Sequence, residues 1–208
     1  QLLFPQEFPE DDVTCFLSSG TMVYDPDVVD ELAGYCHERV DYIHSRNDIL
    51  LELDVWVSPE DDKSYQVSID PGQGKQTSTA ITVWTYDQDE RGNTIPIHCA
   101  TCYGLIDEKE TAIRAQEIAK LYNSAGISCE ANGHGIAVLN GLLDYSSVYR
   151  RVELKSGRTS RVPGWLTTPS TKPYMISETS NLLSNMVVKD IRIVSQFRNI
   201  RWEINARG

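Results

Sequence analysis

The sequence contains no apolar run near the eighteen or so residues of a membrane span, and no basic-then-apolar start of the secretory kind. A membrane protein or a secreted one is therefore not expected. Paired cysteines are missing as well. The five present, Cys15, Cys36, Cys99, Cys102 and Cys129, are odd in number and scattered, which suits a reducing compartment better than a disulfide framework. Cys99 and Cys102 are close, but they fall in the strand-like run Ile95 to Gly104, where a spacing of three sends them to opposite faces and makes a shared metal awkward. Positive charge is short: 19 Lys and Arg against 30 Asp and Glu give a net charge of −11. That balance is poor for a nucleic-acid binder, because Lys and Arg on phosphates supply most nonspecific affinity.

The deficit is uneven along the chain. From Ser146 onward basic residues exceed acids by about 7, leaving about −18 on the first 145 residues, so the pattern is compatible with a basic face on an acidic body. The 208 residues suffice for one sizeable α/β domain with a real core. Gln1 to about Asp25 is rich in Pro and acid and reads as an extended leader. Asp25 as N-cap and Pro26 at the first helical position open a run in which Val28, Val29, Leu32, Tyr35, Cys36, Val40 and Ile43 recur at helical spacing. That predicts one helix to about Arg46. Ser58 to Lys63 then reads as a boundary, giving residues 1–60 as leader and helix and 61–208 as the main domain.

Strand patterns follow. Tyr65 to Asp70 alternates, Ala80 to Tyr86 is β-branched and aromatic, Asp89 to Asn93 is turn chemistry, and Ile95 to Leu105 is a third strand, which together predict an antiparallel meander. Glu108 to Asn123 reads as a helix and Ile127 to Glu130 as a fourth strand, returned by a crossover to lie parallel to the first. A helix over Gly135 to Leu143, a fifth strand near Tyr149 to Leu154 and a helix after Pro173 come next. The alternation of Val187, Ile191 and Ile193, then Phe197, Ile200, Trp202 and Ile204, suggests a last strand. The whole reads as an α/β mixed sheet, three meander strands plus parallel ones, flanked by helices.

Asp70 ends the first meander strand and Glu130 ends the fourth. On parallel neighbours about 4.8 Å apart, both carboxylates leave the sheet at one edge and can bridge hard divalent cations, Mg²⁺ or Mn²⁺. Such a pair suits two-metal phosphodiester hydrolysis, with ions roughly 3.5–4 Å apart. Spacing alone is weak evidence for this, since acids at strand ends are common and usually solvated. His134 beside Glu130 could approach the same site or merely begin a helix. Lys172 could meet a phosphate, and Arg150, Arg151, Lys155 and Arg158 are candidate DNA contacts. Trp165 reads as core packing.

The surrounding residues carry a resemblance. The run from Tyr65 to Gly74, followed by Ser78-Thr79-Ala80-Ile81-Thr82-Val83-Trp84, resembles the first-strand motif of the phage large-terminase nuclease. Glu130-Ala131-Asn132-Gly133-His134-Gly135 is similar to that family's second acidic motif, and Gly164-Trp165-Leu166-Thr167-Thr168 through Thr171-Lys172-Pro173 to its Gly-Trp-x-Thr and Thr-Lys-Pro segment. Gln6-Glu7-Phe8-Pro9 and Cys15 to Gly20 resemble the stretch that joins the packaging ATPase to its nuclease. The resemblance implies a ribonuclease-H-like fold and metal-dependent cleavage of double-stranded viral DNA during packaging. It also implies the portal protein and the small terminase subunit as partners, and a place in the host cytoplasm, transiently at the procapsid portal.

Two departures qualify it. The family's third acid lies after the last strand, and no Asp-rich segment precedes Gly208. Asp190 and Glu203 are the nearest substitutes, and the third ligand is expected beyond Gly208. Gly72-Gln73-Gly74-Lys75-Gln76-Thr77 lacks the first glycine of a P-loop, with Ile69 in its place, and has Gln76 at the Ser/Thr position, so ATP hydrolysis is not expected. Two other readings stay open: a noncatalytic DNA-clamping or portal-docking module, and an actin- or sugar-kinase-like ATP-binding domain.

Overall fold

In the computed structural model, residues 21–152 and 157–202 are described. The first helix, α1 (Pro26–Ala33), begins as expected, with the Asp25 carboxylate accepting from the Asp27 N–H, but it ends eight residues later at Gly34. The predicted continuation to Arg46 is instead a β-hairpin, β1 (Asp41–Arg46) and β2 (Ile49–Val55). Its turn residues, Asn47 and Asp48, both have positive φ, 51° and 61°, the backbone that matches a two-residue turn to the twist of its strands. Helical spacing misled here because Tyr35 and Val40 are surface residues, 54% and 64% exposed, and not part of a buried stripe.

β2 pairs antiparallel with β5 (Thr94–Gly104), so residues 41–55 belong to the main sheet and the expected boundary near residue 60 is only a loop within it. With β3 (Tyr65–Asp70), β4 (Thr79–Gln88) and β6 (Gly126–Cys129), the sheet has six strands in the order β1-β2-β5-β4-β3-β6. The meander β3-β4-β5 is antiparallel, and β6 returns parallel to β3 as expected. At Cys99 a bulge interrupts β5: Val83 faces Ala100, but the next residue, Trp84, faces His98. The extra residue resets the alternation, so Cys99 and Cys102 both enter the same buried cluster and do not point apart as the simple spacing predicted.

Two layers of helix cover the sheet. On one face α2 (Glu108–Leu121) and α3 (Gly135–Gly141) close over Leu51, Leu53, Val67, Ile69, Ile81, Val83 and Ile127. Each such fully buried aliphatic side chain contributes about 1.5–3 kcal/mol. On the other face α1, α4 (Thr171–Leu183) and α5 (Ile191–Asn199) gather around Val29, Leu32, Leu183, Val188 and Val194. The expected fifth strand is reduced to isolated bridges at Val148, Arg150 and Val152. The expected last strand is the helix α5. Asp190 caps it, and Ile193, Val194 and Phe197, three and four residues apart, turn toward the second core. Lys155, Glu203, Cys15 and the leader motifs before Thr21 lie outside the described residues.

Candidate metal centre and its cleft

Ile69 stands opposite Cys129 in the parallel β3–β6 ladder, so the next residue on each strand, Asp70 and Glu130, leaves the sheet at the same edge. Alternation sends Val67, Ile69, Ile127 and Cys129 into the core and Ser68, Asp70, Ser128 and Glu130 to the other face. There they line a cleft of about 370 Å³, walled by Trp165, Thr167 and Met175. Its floor carries two hydroxyls: Ser68 Oγ and Ser128 Oγ are hydrogen-bonded at 3.1 Å, and Ser128 Oγ also donates to the Val67 carbonyl at 3.3 Å.

The local sequence fixes both acids in place. After Asp70 the chain turns at Pro71 and Gly72, and the Gly72 N–H donates to Thr79 Oγ1 at 2.9 Å, whose hydroxyl donates on to the Ile106 carbonyl. Beyond Glu130, the Trp165 segment runs alongside as a parallel bridge, with the Ala131 N–H donating to the Trp165 carbonyl at 2.6 Å and the Trp165 N–H to the Cys129 carbonyl at 2.9 Å. Asn132 clamps the same segment through the Thr167 carbonyl at 2.9 Å and the Thr167 N–H at 2.8 Å. Gly164 is required in this approach. Its φ is +86°, and a Cβ there would stand 2.8 Å from the Cys129 carbonyl oxygen.

The Asp70 carboxyl is held above its ordinary range, first by burial against the cleft walls and then by the neighbouring Glu130 charge. On the core side of β6, burial pushes the Cys129 thiol up to about 12, with Glu130 and Asp70 adding to it. A carboxyl whose charge is disfavoured by burial and by a neighbouring acid is in an arrangement that a cation relieves.

The other candidates divide. Lys172 is exposed one helical turn before Met175, which lines the cleft, but Lys172 itself does not line it. His134 does not line the cleft; its Nδ1 lies 2.6 Å from the Glu108 carboxylate. Asp190 is excluded from the centre because it is buried, at 2% exposure, beside β5, where it caps α5 and is gripped by Arg192. The Arg150 guanidinium donates to the Arg161 carbonyl, Arg151 lines an adjoining groove, and Arg158 is exposed. Among the described residues, no third His, Cys, Asp or Glu joins Asp70 and Glu130. Sequence reasoning missed Ser68 and Ser128, each two residues before its acid and so on the same strand face, and it placed Trp165 in the core when the ring walls the cleft.

No family model and no curated protein sequence matches the chain. Solved structures do. The large terminase nuclease of the thermophilic phage G20c with bound magnesium superposes with a TM-score of 0.63 at 17% identity, covering 92% of this chain and 86% of that one. The chain has the fold of the large terminase nuclease. The same G20c nuclease with bound zinc gives 0.56 at 18% identity over 85% of this chain and 89% of that one, and the nuclease domain of Thermus phage P74-26 gives 0.57 at 17% over 87% and 82%. The ribonuclease-H-like sheet of the terminase nuclease fold is thus the frame on which Asp70 and Glu130 stand.

Proposed function

We propose that the chain is a divalent-metal-dependent endonuclease that cuts double-stranded viral DNA during genome packaging. The observation that carries this reading is the pairing of Asp70 and Glu130 on adjacent parallel strands, aimed into one cleft. The donor set fits Mg²⁺ or Mn²⁺, which prefer oxygen ligands. Solved nucleases of this fold carrying magnesium, cobalt or zinc support a divalent ion; two are proposed. When bound, such ions lower the pKa of water and neutralise charge on a phosphodiester undergoing hydrolysis. Asp70 and Glu130 would hold them, the Ser68 and Ser128 hydroxyls would hydrogen-bond solvent at the cleft floor, and Lys172, exposed one helical turn from the cleft-lining Met175, would meet a phosphate.

The portal protein and the small terminase subunit are the proposed partners, in the host cytoplasm and at the procapsid portal. ATP hydrolysis is not assigned to this chain, since the Gly72–Gly74 turn leads into β4 and not into a helix N-terminus. Supercoiled plasmid incubated with the chain and Mg²⁺ or Mn²⁺ should be nicked and linearised, and EDTA should prevent it. Asp70→Asn and Glu130→Gln should each lower the rate by at least about a hundredfold, the scale of losing one charge-stabilising group, with unchanged circular dichroism. Undiminished nicking by either variant overturns the assignment, and binding without any metal-dependent nicking would favour a noncatalytic clamp.

A further inference from the structure

Beside the Asp70–Glu130 cleft lies a second cavity of about 640 Å³, and the two share Trp165. Consecutive residues face one and then the other: Thr167 and Met175 line the cleft, Thr168 and Tyr174 the groove. The groove is aromatic. Tyr174 and Trp165 stack with ring centroids 6.5 Å apart and planes 25° from parallel, and Tyr149 lines the same space with Arg151. Tyr149 and Tyr174 are 40% and 43% exposed, so their rings are available to a ligand. The Trp165 Nε1–H has no acceptor among the described residues.

We infer that this groove takes an unpaired nucleotide of the DNA strand whose phosphodiester lies at Asp70 and Glu130, so that the protein favours frayed or single-stranded ends over closed duplex. The inference rests on the nuclease reading above. In a duplex the base faces are stacked on one another, and only edges and phosphates are offered to a protein; aromatic side chains bind nucleic acid when a base leaves the stack. The groove offers ring faces and a single guanidinium suited to one phosphate. Continuity with the cleft through one shared residue matches the short distance between a phosphodiester and the next base on its strand. The net charge of −11 leaves less for phosphate attraction and gives stacking a larger share of the affinity.

The test measures binding of fluorescently labelled DNA by anisotropy with the full 208-residue chain in EDTA, so that no strand is cut. A blunt duplex is compared with the same duplex carrying a short single-stranded overhang at either end. The overhang should tighten binding by at least about fivefold, the lower end of stacking one base on an aromatic ring. Tyr174→Ala and Tyr149→Ala should bring the overhang-to-blunt affinity ratio toward one, and Tyr174→Phe should retain it. A wild-type ratio near one, or alanine variants that keep the ratio, overturns the groove assignment alone. Failure of every DNA to bind overturns the groove, while the nuclease reading is decided separately by metal-dependent plasmid nicking.

Discussion

His98 is wholly buried on β5, its ring between Trp56 and Trp84 at centroid distances of 5.0 and 5.3 Å. Nε2 lies 3.1 Å from the Ala100 carbonyl and 2.8 Å from Thr101 Oγ1, which places the proton on Nε2, because a carbonyl can only accept; Nδ1 has no partner among the described residues. Burial holds the imidazole down at about 4 against the pull of Asp190, whereas in an unfolded chain it titrates near 6.5. Between those values the unfolded state binds more protons, so stability should rise with pH across that window and level off above it. The total is ~3 kcal/mol at ~1.4 kcal/mol per unit. Urea denaturation at pH 7.5 and 4.5 checks this: the wild type should lose stability at the lower pH, and His98→Gln should lose much less between the two. Equal losses would place the acid sensitivity elsewhere. Nothing in the sequence marked this histidine, because its burial is produced by the β5 bulge and by helices from both ends of the chain.

At the level of elements, the parts that could be read from sequence are those whose local signal and tertiary use agree. Tyr65 to Asp70 alternates, and the strand is buried on one face with the same period; Asp107 caps α2 through the Glu110 N–H where the apolar periodicity begins. The site pair was legible for the same reason, since a strand-end acid projects from a known edge once the pairing is right. Two elements were misread where apolar residues fit either period. In α5 the spacing of Ile191, Ile193 and Phe197 suits a strand or a helix, and the Asp190 cap decides it. After α1, the Asn47-Asp48 turn was the overlooked signal. A β-branched residue in left-handed backbone costs about 1–2 kcal/mol, so Asp48→Val should lower the unfolding free energy by about that much while Asp48→Gly is tolerated; equal stability of the two variants would contradict the turn. Gly135 makes a sharper demand at the start of α3, where a Cβ would stand 1.6 Å from the Glu130 carbonyl oxygen. Gly135→Ala should therefore push the Glu130 strand end aside, reducing plasmid cleavage more than about tenfold and stability by about 1–3 kcal/mol, the usual cost of overpacking. Wild-type cleavage by that variant would mean the strand end has room to move.

Over the whole molecule, the basic excess after Ser146 is partly consumed by the fold. Arg192 is paired with Asp54 and Asp190, and Arg198 with Asp30, so these cations join the two ends of the chain across the second core. The Arg201 and Arg150 guanidinium groups donate to backbone carbonyls. Placement then matters more than the count. Arg151 lines the groove and Lys172 is exposed next to the groove-lining Thr171, whereas Arg198 lies in the helix layer around α1 and α5. Removing one cation that neutralises a phosphate should reduce the slope of log affinity against log salt by ~0.9. The double variant Arg151→Glu with Lys172→Glu should therefore weaken binding to duplexes of unrelated sequence alike and lower the slope by ~1.8. Arg198→Glu makes the same kind of charge change away from the cleft and should leave the slope within error of the wild type. Adding Arg150→Glu and Arg158→Glu to Arg151→Glu extends the test along the basic segment, and salt titrations between 50 and 200 mM, roughly the range over which phosphate-dominated binding changes most clearly, would read all of them. If Arg198→Glu lowered affinity and slope as much as the cleft-side pair, DNA would be responding to net charge alone, and the orientation of the duplex on the Asp70–Glu130 face would have to be abandoned.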